Sequence, residues 1–242
     1  MKRATVLLTL SAFAAVAVAS TGYGADGRST CGTKPVLGSR VYSYAAFVRR
    51  STVAFRAPGQ RPFAHFRRVN VNGYPTLFQV RGVQYDRTCH AIWYRVQLPL
   101  RPNGITGYIP AATVNVQRIA TRIVVDLSAR RLMLFRRGRI VQRETAGIGS
   151  SQTPTPTGRF YVNQRLVPAY KSGPWGPAAL GISAFSPVLK TWTQGGPIAI
   201  HGTSDPSSIG RAASHGCIRV RNAAMLRLFA RTPAGTPVLI RA

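Results

Sequence analysis

The sequence predicts a mainly β protein of two domains, the second carrying one or two helices. Three observations predict it. Short β-type runs broken by turn residues fill residues 40–117, a β-meander opens at Ile119, and only the stretch after Asn222 spaces its apolar residues as a helix does. Strands as short and closely set as those of residues 40–117 suggest a small barrel.

The first residues are not a fold element. Lys2-Arg3 precede an uncharged stretch rich in Ala, Val and Leu from Ala4 to Val18, and Ala17-Val18-Ala19 offers a small-residue cleavage site before Ser20. This is the pattern of a secretory signal peptide over residues 1–19, too short to span a bilayer comfortably, so an exported protein without a stable transmembrane anchor is expected. Residues 20–39, rich in Gly, Ser and Thr, read as a linker.

In the domain of residues 40–117, strands are expected at Val41–Tyr44, Ser51–Phe55, Phe78–Val80, Ile92–Val96 and Gly107–Pro110. Ala57-Pro58-Gly59 and Pro102-Asn103-Gly104 supply turns between them. In the domain of residues 119–242, Ile123–Leu127 and Arg131–Phe135 flank the turn Ser128-Ala129-Arg130, and Arg136–Arg139 turns the chain into Ile140-Val141. Residues 163–197 hold many Pro and Gly among Tyr170, Trp175, Phe185 and Trp192. Such a segment is either a poorly marked pair of strands or a functional flap. Asn222 is expected to N-cap a helix that buries Met225, Leu228 and Phe229, with Arg227 and Arg231 towards its C-terminus. Pro233-Ala234-Gly235 stops the helix, and Pro237–Ile240 returns as a last strand.

Charge bounds the function. Lys and Arg number 33 against five Asp and Glu, a formal net charge of +28. Such a field draws polyanions. Behind a signal peptide, anionic cell-wall polymers fit better than nucleic acid. Five scattered acids provide no carboxylate pair for a glycosidase and no cluster for Ca²⁺ or a two-metal centre. Three cysteines in an exported chain leave one over. A Cys31–Cys89 disulfide, stabilising by about 2–4 kcal/mol, leaves Cys217 free.

Cys217 lies in the stretch the chemistry points to, Ile198–Val220, which reads IAIHGTSDPSSIGRAASHGCIRV. Ile198-Ala199-Ile200 has the form of a buried strand that ends on His201, and Gly202-Thr203-Ser204-Asp205-Pro206 is a loop. The chain returns at Ser214-His215-Gly216-Cys217, and Ile218-Arg219-Val220 alternates as a strand does. A cysteine and a histidine at neighbouring loop–strand junctions are what a thiol nucleophile with a positioned base requires. A zinc site of His201, His215 and Cys217 lacks a fourth nearby ligand. No metal or cofactor is called for.

The two-part signature, HGT and then SHGCIR, resembles that of the YkuD-type L,D-transpeptidases, and the similarity runs from about Arg122 to Ile240. Thr153–Phe160 is similar to a TPTG turn of that family, and WYRVQLPLRPNGITGYIP at the end of the first domain is similar to the tail of a bacterial SH3-like (SH3b) wall-binding module. The resemblance implies a small SH3-like barrel followed by a YkuD-like β-sandwich or barrel, and an enzyme that cross-links peptidoglycan stem peptides. Cys217 is then the nucleophile, His201 its base, and D-alanine the group released before transfer to an amine of a neighbouring stem. His215 either assists at the oxyanion or shapes the pocket. The backbone of Gly216 and Cys217 supplies oxyanion donors, with Ser214 beside them, and the Gly202 carbonyl orients the imidazole. Arg219 either grips a substrate carboxylate or braces the loop; Thr203, Tyr170, Trp175 and Ser183 line or cap the substrate site. Two alternatives share these residues: an L,D-carboxypeptidase in which water resolves the same acyl-enzyme, and a non-catalytic wall-binding protein.

Overall fold

The computed structural model describes residues 38–39 and 41–242, so the expected signal peptide, most of the linker and Cys31 lie outside the described residues. The first half is one antiparallel sheet of seven strands: β1 (Ser43–Val48), β2 (Ser51–Phe55), β3 (Pro62–Arg67), β4 (Leu77–Tyr85), β5 (Ala91–Gln97), β6 (Thr106–Pro110) and β7 (Val114–Ile119). Their order across the sheet is β3-β2-β6-β5-β4-β1-β7. Every strand expected in this half is present; Ser51–Phe55 keeps its bounds and the others are shifted or lengthened at their ends. Two that the sequence marks weakly, β3 and β7, complete the sheet. Their burial explains the omission: β3 exposes both ends, and three of the four central residues of β7 are polar. The sheet packs one face onto a core of Phe78, Val80, Val96, Leu98 and Ile109. Cys89, in the β4–β5 turn, is disulfide-bonded.

The second half is built from β8 (Thr121–Asp126), β9 (Arg131–Arg136), β10 (Arg139–Thr145), β11 (Ile148–Gly149), β12 (Gly158–Leu166), β13 (Ala179–Phe185), β14 (Pro197–His201), β15 (Ala212–Ser214), β16 (Ile218–Arg219), helix α1 (Asn222–Arg231) and β17 (Pro237–Arg241). Eight strands form one sheet in the order β10-β9-β8-β17-β12-β13-β14-β16, and β11 pairs with β15 apart from it. The meander is made by local chemistry. Asp126 Oδ1 accepts from Ser128 Oγ and the Ala129 N–H. At the β9–β10 turn, Arg137 and Gly138 both take positive φ, 49° and 79°, the backbone of a primed hairpin turn. Strand β17 lies between β8, to which it is parallel, and β12, to which it is antiparallel. Among the described residues no helix is long and apolar enough to cross a membrane.

Residues 163–197 contain both strand and irregular backbone. Strand β12 runs on to Leu166 and β13 occupies Ala179–Phe185, while two irregular arms, residues 167–178 and 186–196, leave the sheet. Helix α1 buries Ala224, Met225 and Leu228 against the sheet core, but its capping differs from expectation. The N-cap position is Arg221, which makes no side-chain cap bond. Asn222 is the first helical residue, and its Oδ1 instead accepts from the Thr203 N–H at 2.7 Å. A loop donor outside the helix competes successfully for the amide.

The two sheets meet over a third apolar cluster, Ala45, Leu77, Ile119 and Tyr161, with Phe47 and Ala234 against it. Tyr161 is fully buried, and its hydroxyl donates to the Leu77 carbonyl at 3.2 Å. Gln97 Nε2 donates to Arg159 O at 2.7 Å, and Asn103 pairs with both backbone groups of Phe185. At Gly235 φ is 86°, and a Cβ there would run into that of Ala45. Because Tyr161→Phe deletes only a hydroxyl but strands a buried carbonyl, the expected cost is about 1–3 kcal/mol. Urea denaturation of the two proteins checks this, and an unchanged midpoint refutes a structural role for the bond.

Candidate active site

Strand alternation explains the composition of the site. Strands β14 and β16 are parallel neighbours, with Ile200 opposite Ile218 and His201 opposite Arg219. Successive side chains point to opposite faces. Ile198, Ile200, Ile218 and Val220 therefore enter the core, while Ala199, His201, Cys217 and Arg219 face a groove of about 1370 Å³. Cys217 and His201 are diagonal neighbours on that face, across a strand spacing of about 4.7–4.9 Å.

His201 is buried, and its Nδ1 lies 2.5 Å from the Gly202 carbonyl. A carbonyl only accepts, so Nδ1 carries the proton and Nε2 keeps its lone pair. Gly202 is glycine because a Cβ there would run into Asn222 Oδ1, the acceptor of the Thr203 N–H, and crowd Pro177 Cδ at 3.0 Å. Trp175 lies against the imidazole, ring centroids 4.7 Å apart. Asp205 is turned away, its carboxylate accepting from the Ser207 N–H and hydroxyl. The Cys217 sulfur is free of disulfide and accepts from the Ala199 N–H at 3.4 Å.

Burial sets the charge state. It pushes the His201 pKa down to about 4, aided by the Arg219 charge and partly offset by the Gly202 bond. It pushes the Cys217 thiol up, against the opposing pull of the Ala199 N–H and Arg219. Each pKa unit is worth about 1.4 kcal/mol, so the ordering decides the resting state: neutral thiol beside neutral imidazole. The geometry suits general-base activation on substrate arrival rather than a standing thiolate–imidazolium pair.

The loop before Cys217 is held from behind. Ser214 Oγ donates to Cys217 O at 2.6 Å and accepts from the Gly216 N–H at 3.1 Å. The Gly216 donor is thus occupied, which leaves the Cys217 N–H as the remaining backbone donor of the pair. Gly216 takes φ 109°, a conformation reserved for glycine. Thr155 Oγ1 donates to Gly216 O at 2.9 Å and accepts from the Gly149 N–H, and Thr153 Oγ1 donates to Ser214 O. These threonines of the TPTG turn were expected only as a turn; their spacing shows nothing of the loop 61 residues away that they hold.

The other expected residues divide. His215 is exposed at the rim, its ring 5.3 Å from that of Trp192. Arg219 holds Gly147 by two backbone bonds of 2.8 Å, while its side chain lines the groove with a buried Nε that has no hydrogen-bond partner among the described residues. Its charge adds to the Ser207 hydrogen bonds in holding the Asp205 carboxyl below the usual range, without a close ion pair among the described residues. Its bracing is done by the main chain, which leaves the side chain available. Thr203 is buried and closes a turn with Asp205. Two of the expected residues lie off the groove. Ser183 is buried off the groove, its hydroxyl accepting from the Tyr161 N–H of the neighbouring strand. Tyr170 is 82% exposed on its arm and does not line the groove. Among the described residues no group of His, Cys, Asp and Glu has the arrangement of a metal site.

Comparison with known proteins gives the same half of the chain. The model of the L,D-transpeptidase catalytic domain (YkuD) matches residues 120–240. The chain is similar to a putative L,D-transpeptidase YkuD of Bacillus licheniformis, 39% identical over 127 residues that cover 52% of this chain and 68% of that protein. Its counterpart in Bacillus subtilis is 35% identical over 123 residues, 50% of this chain and 66% of that one. The match thus spans about two thirds of each relative. A crystal structure of an Enterococcus faecium L,D-transpeptidase aligns with TM-score 0.39 and 26% identity over 50% of this chain and 49% of that one.

The charge states are open to direct measurement. The His201 imidazole resonance, assigned by its loss in His201→Gln, is expected to titrate with a midpoint near pH 4. The depressed value means that the neutral ring is kept down to that pH. A midpoint near the ordinary 6.5 refutes the buried neutral base.

Proposed function

Because the chain belongs to the L,D-transpeptidase (YkuD) family through residues 120–240, we propose that it cross-links peptidoglycan stem peptides by acyl transfer through Cys217. One observation carries the reading: Cys217, His201 and Arg219 share one groove face, with the base's tautomer fixed by the Gly202 carbonyl.

The steps follow from that face. A donor stem binds with the carboxylate of its terminal D-alanine on the unpaired Arg219 guanidinium, a bidentate charge-assisted contact. His201 Nε2 takes the thiol proton as Sγ attacks the carbonyl carbon of the preceding residue. The developing oxyanion takes the Cys217 N–H. The tetrahedral intermediate collapses to a thioester, and the imidazolium returns its proton to the leaving nitrogen, releasing D-alanine. An amine of a second stem attacks the thioester, gives up a proton to His201, and leaves as a new amide while the thiol is restored. Trp175 over the imidazole excludes water from the base, which favours amine over water at the second step. His215, exposed beside Trp192, is assigned to the shape of the groove mouth rather than to proton transfer.

The same reading makes residues 40–117 an accessory SH3-like module, residues 119–242 the catalytic domain, and the Arg-rich surface a seat for anionic wall polymers. An extracytoplasmic location follows from the substrate. The disulfide at Cys89 supports its pairing with Cys31.

Tetrapeptide-stem muropeptides are expected to yield cross-linked dimers with the intact protein and none with Cys217→Ser, since a hydroxyl is a far weaker nucleophile beside the same base. Tripeptides alone indicate hydrolysis, and an unchanged substrate indicates a binding protein. A carbapenem should form one thioester adduct on Cys217, visible by intact mass and peptide mapping. Its formation on His201→Ala is expected to be about 10²–10⁴-fold slower; an equal rate removes His201 as the base.

A further inference from the structure

The groove is not a property of the catalytic half alone. One side is built by the connection between β3 and β4 in the N-terminal sheet, where Val69, Asn70, Val71 and Asn72 line it. That tip is preformed. Asn70 Oδ1 accepts from the N–H groups of Asn72 and Tyr74, Asn70 N donates to Tyr74 O, Val69 bridges to Pro75, and Gly73 turns at φ 78°. The tip reaches across to the catalytic half. Asn72 Nδ2 donates to Gln164 Oε1 at 3.0 Å and to Gln194 Oε1 at 3.2 Å, and Gln194 Nε2 donates back to Asn72 Oδ1 at 2.7 Å. Gln194 belongs to the arm of residues 186–196, and the Arg101 guanidinium holds the same arm through the Ser186 and Gly195 carbonyls.

The lining is chemically distinctive. Val71 is 87% exposed and Trp192 51% exposed, both facing the groove beside amide side chains. Asn163 Oδ1, also on the lining, is buried without a hydrogen-bond partner. Among the described residues no Asp or Glu lines the groove, so an ammonium group finds no counter-charge there. The groove's guanidiniums are Arg67 and Arg219; beyond them, apolar faces, neutral amides and an orphan acceptor suit a ligand portion that is uncharged, rich in hydroxyl and amide N–H, and has flat C–H faces. At about 1370 Å³ the groove also exceeds the roughly 300–1,000 Å³ usual for one small ligand.

We propose that the β3–β4 tip and the arm of residues 186–196 form a saccharide-binding wall beside Cys217, through which the protein reads the sugar that carries the stem peptide. Trp192 and Val71 take the sugar's C–H faces, and Asn163 Oδ1 accepts from a hydroxyl or an N-acetyl N–H. Asn72 and Gln194 are positioning residues that keep the wall in place. The inference rests on the stem-peptide reading of the site.

The test is binding to the full chain carrying Cys217→Ala, by calorimetry, with a disaccharide-tetrapeptide and with the same tetrapeptide lacking sugar. The sugar-bearing ligand is expected to bind about tenfold more tightly, the worth of one or two net polar contacts. Trp192→Ala, and Asn72→Ala combined with Gln194→Ala, should each bring that ratio to within about twofold of unity. A loss of packing alone does not change a ratio between two ligands that share the peptide. Equal affinity in the parent, no affinity for either ligand, or a ratio undiminished in both variants overturns the inference. Failure of the carbapenem adduct on the wild-type thiol overturns the acyl-enzyme reading instead, and the two failures are distinguishable because calorimetry does not use the thiol.

Discussion

The parallel pairing of β14 with β16 is the constraint on which the site depends. With Ile200 opposite Ile218, one face of two short strands anchors the core and the other presents Cys217, His201 and Arg219 to the groove. A slip of one residue would exchange those faces, burying the charge of Arg219 and exposing isoleucines. Register is therefore held hard. Four core side chains pull from beneath, and the Ser214, Thr153 and Thr155 hydroxyls fix the approach to Cys217. The chemistry inherits its precision from the core.

Burial does two things at once here. It stiffens the imidazole in one tautomer, and it removes the solvent that would stabilise ionic forms of the pair. A resting site of two neutral groups keeps the thiol quiet until a substrate arrives, which matters for a cysteine in an oxidising setting, where a standing thiolate is the reactive species. Arg219 contributes to both partners from its place in the groove: its charge disfavours the imidazolium and favours the thiolate.

Much of this was legible in the chain. The alternation IAIH and CIRV states which residues face which way, and HGT with SHGC brings together the groups a thiol nucleophile needs. Turn chemistry marked the meander, although β3 and β7 were too polar or too exposed to be read as strands. What the sequence did not disclose is what long-range packing decides. Asn222 has the look of a helix cap until Thr203 competes for it. Ser183 sits in a segment similar to a substrate cap, yet its hydroxyl is taken by the Tyr161 N–H of the neighbouring strand. No local pattern announces that Asn72 reaches residues 92 and 122 positions away, since loop amides carry no periodic signal.

Strand β17 has a consequence for how the molecule comes into being. It follows Cys217 in the chain but lies in the interior of the eight-stranded sheet, between β8 and β12. The β8–β10 hairpins need only neighbours in sequence and can form as soon as they emerge. The strands carrying His201 and Cys217 belong to the other side of β17, and within the sheet the two sides join through it. Until residues 237–241 are laid in, the sheet is therefore two unjoined pieces, with the thiol already present and its surroundings incomplete. Topology thus makes the final setting of His201 and Cys217 wait on a strand that follows both of them in the chain.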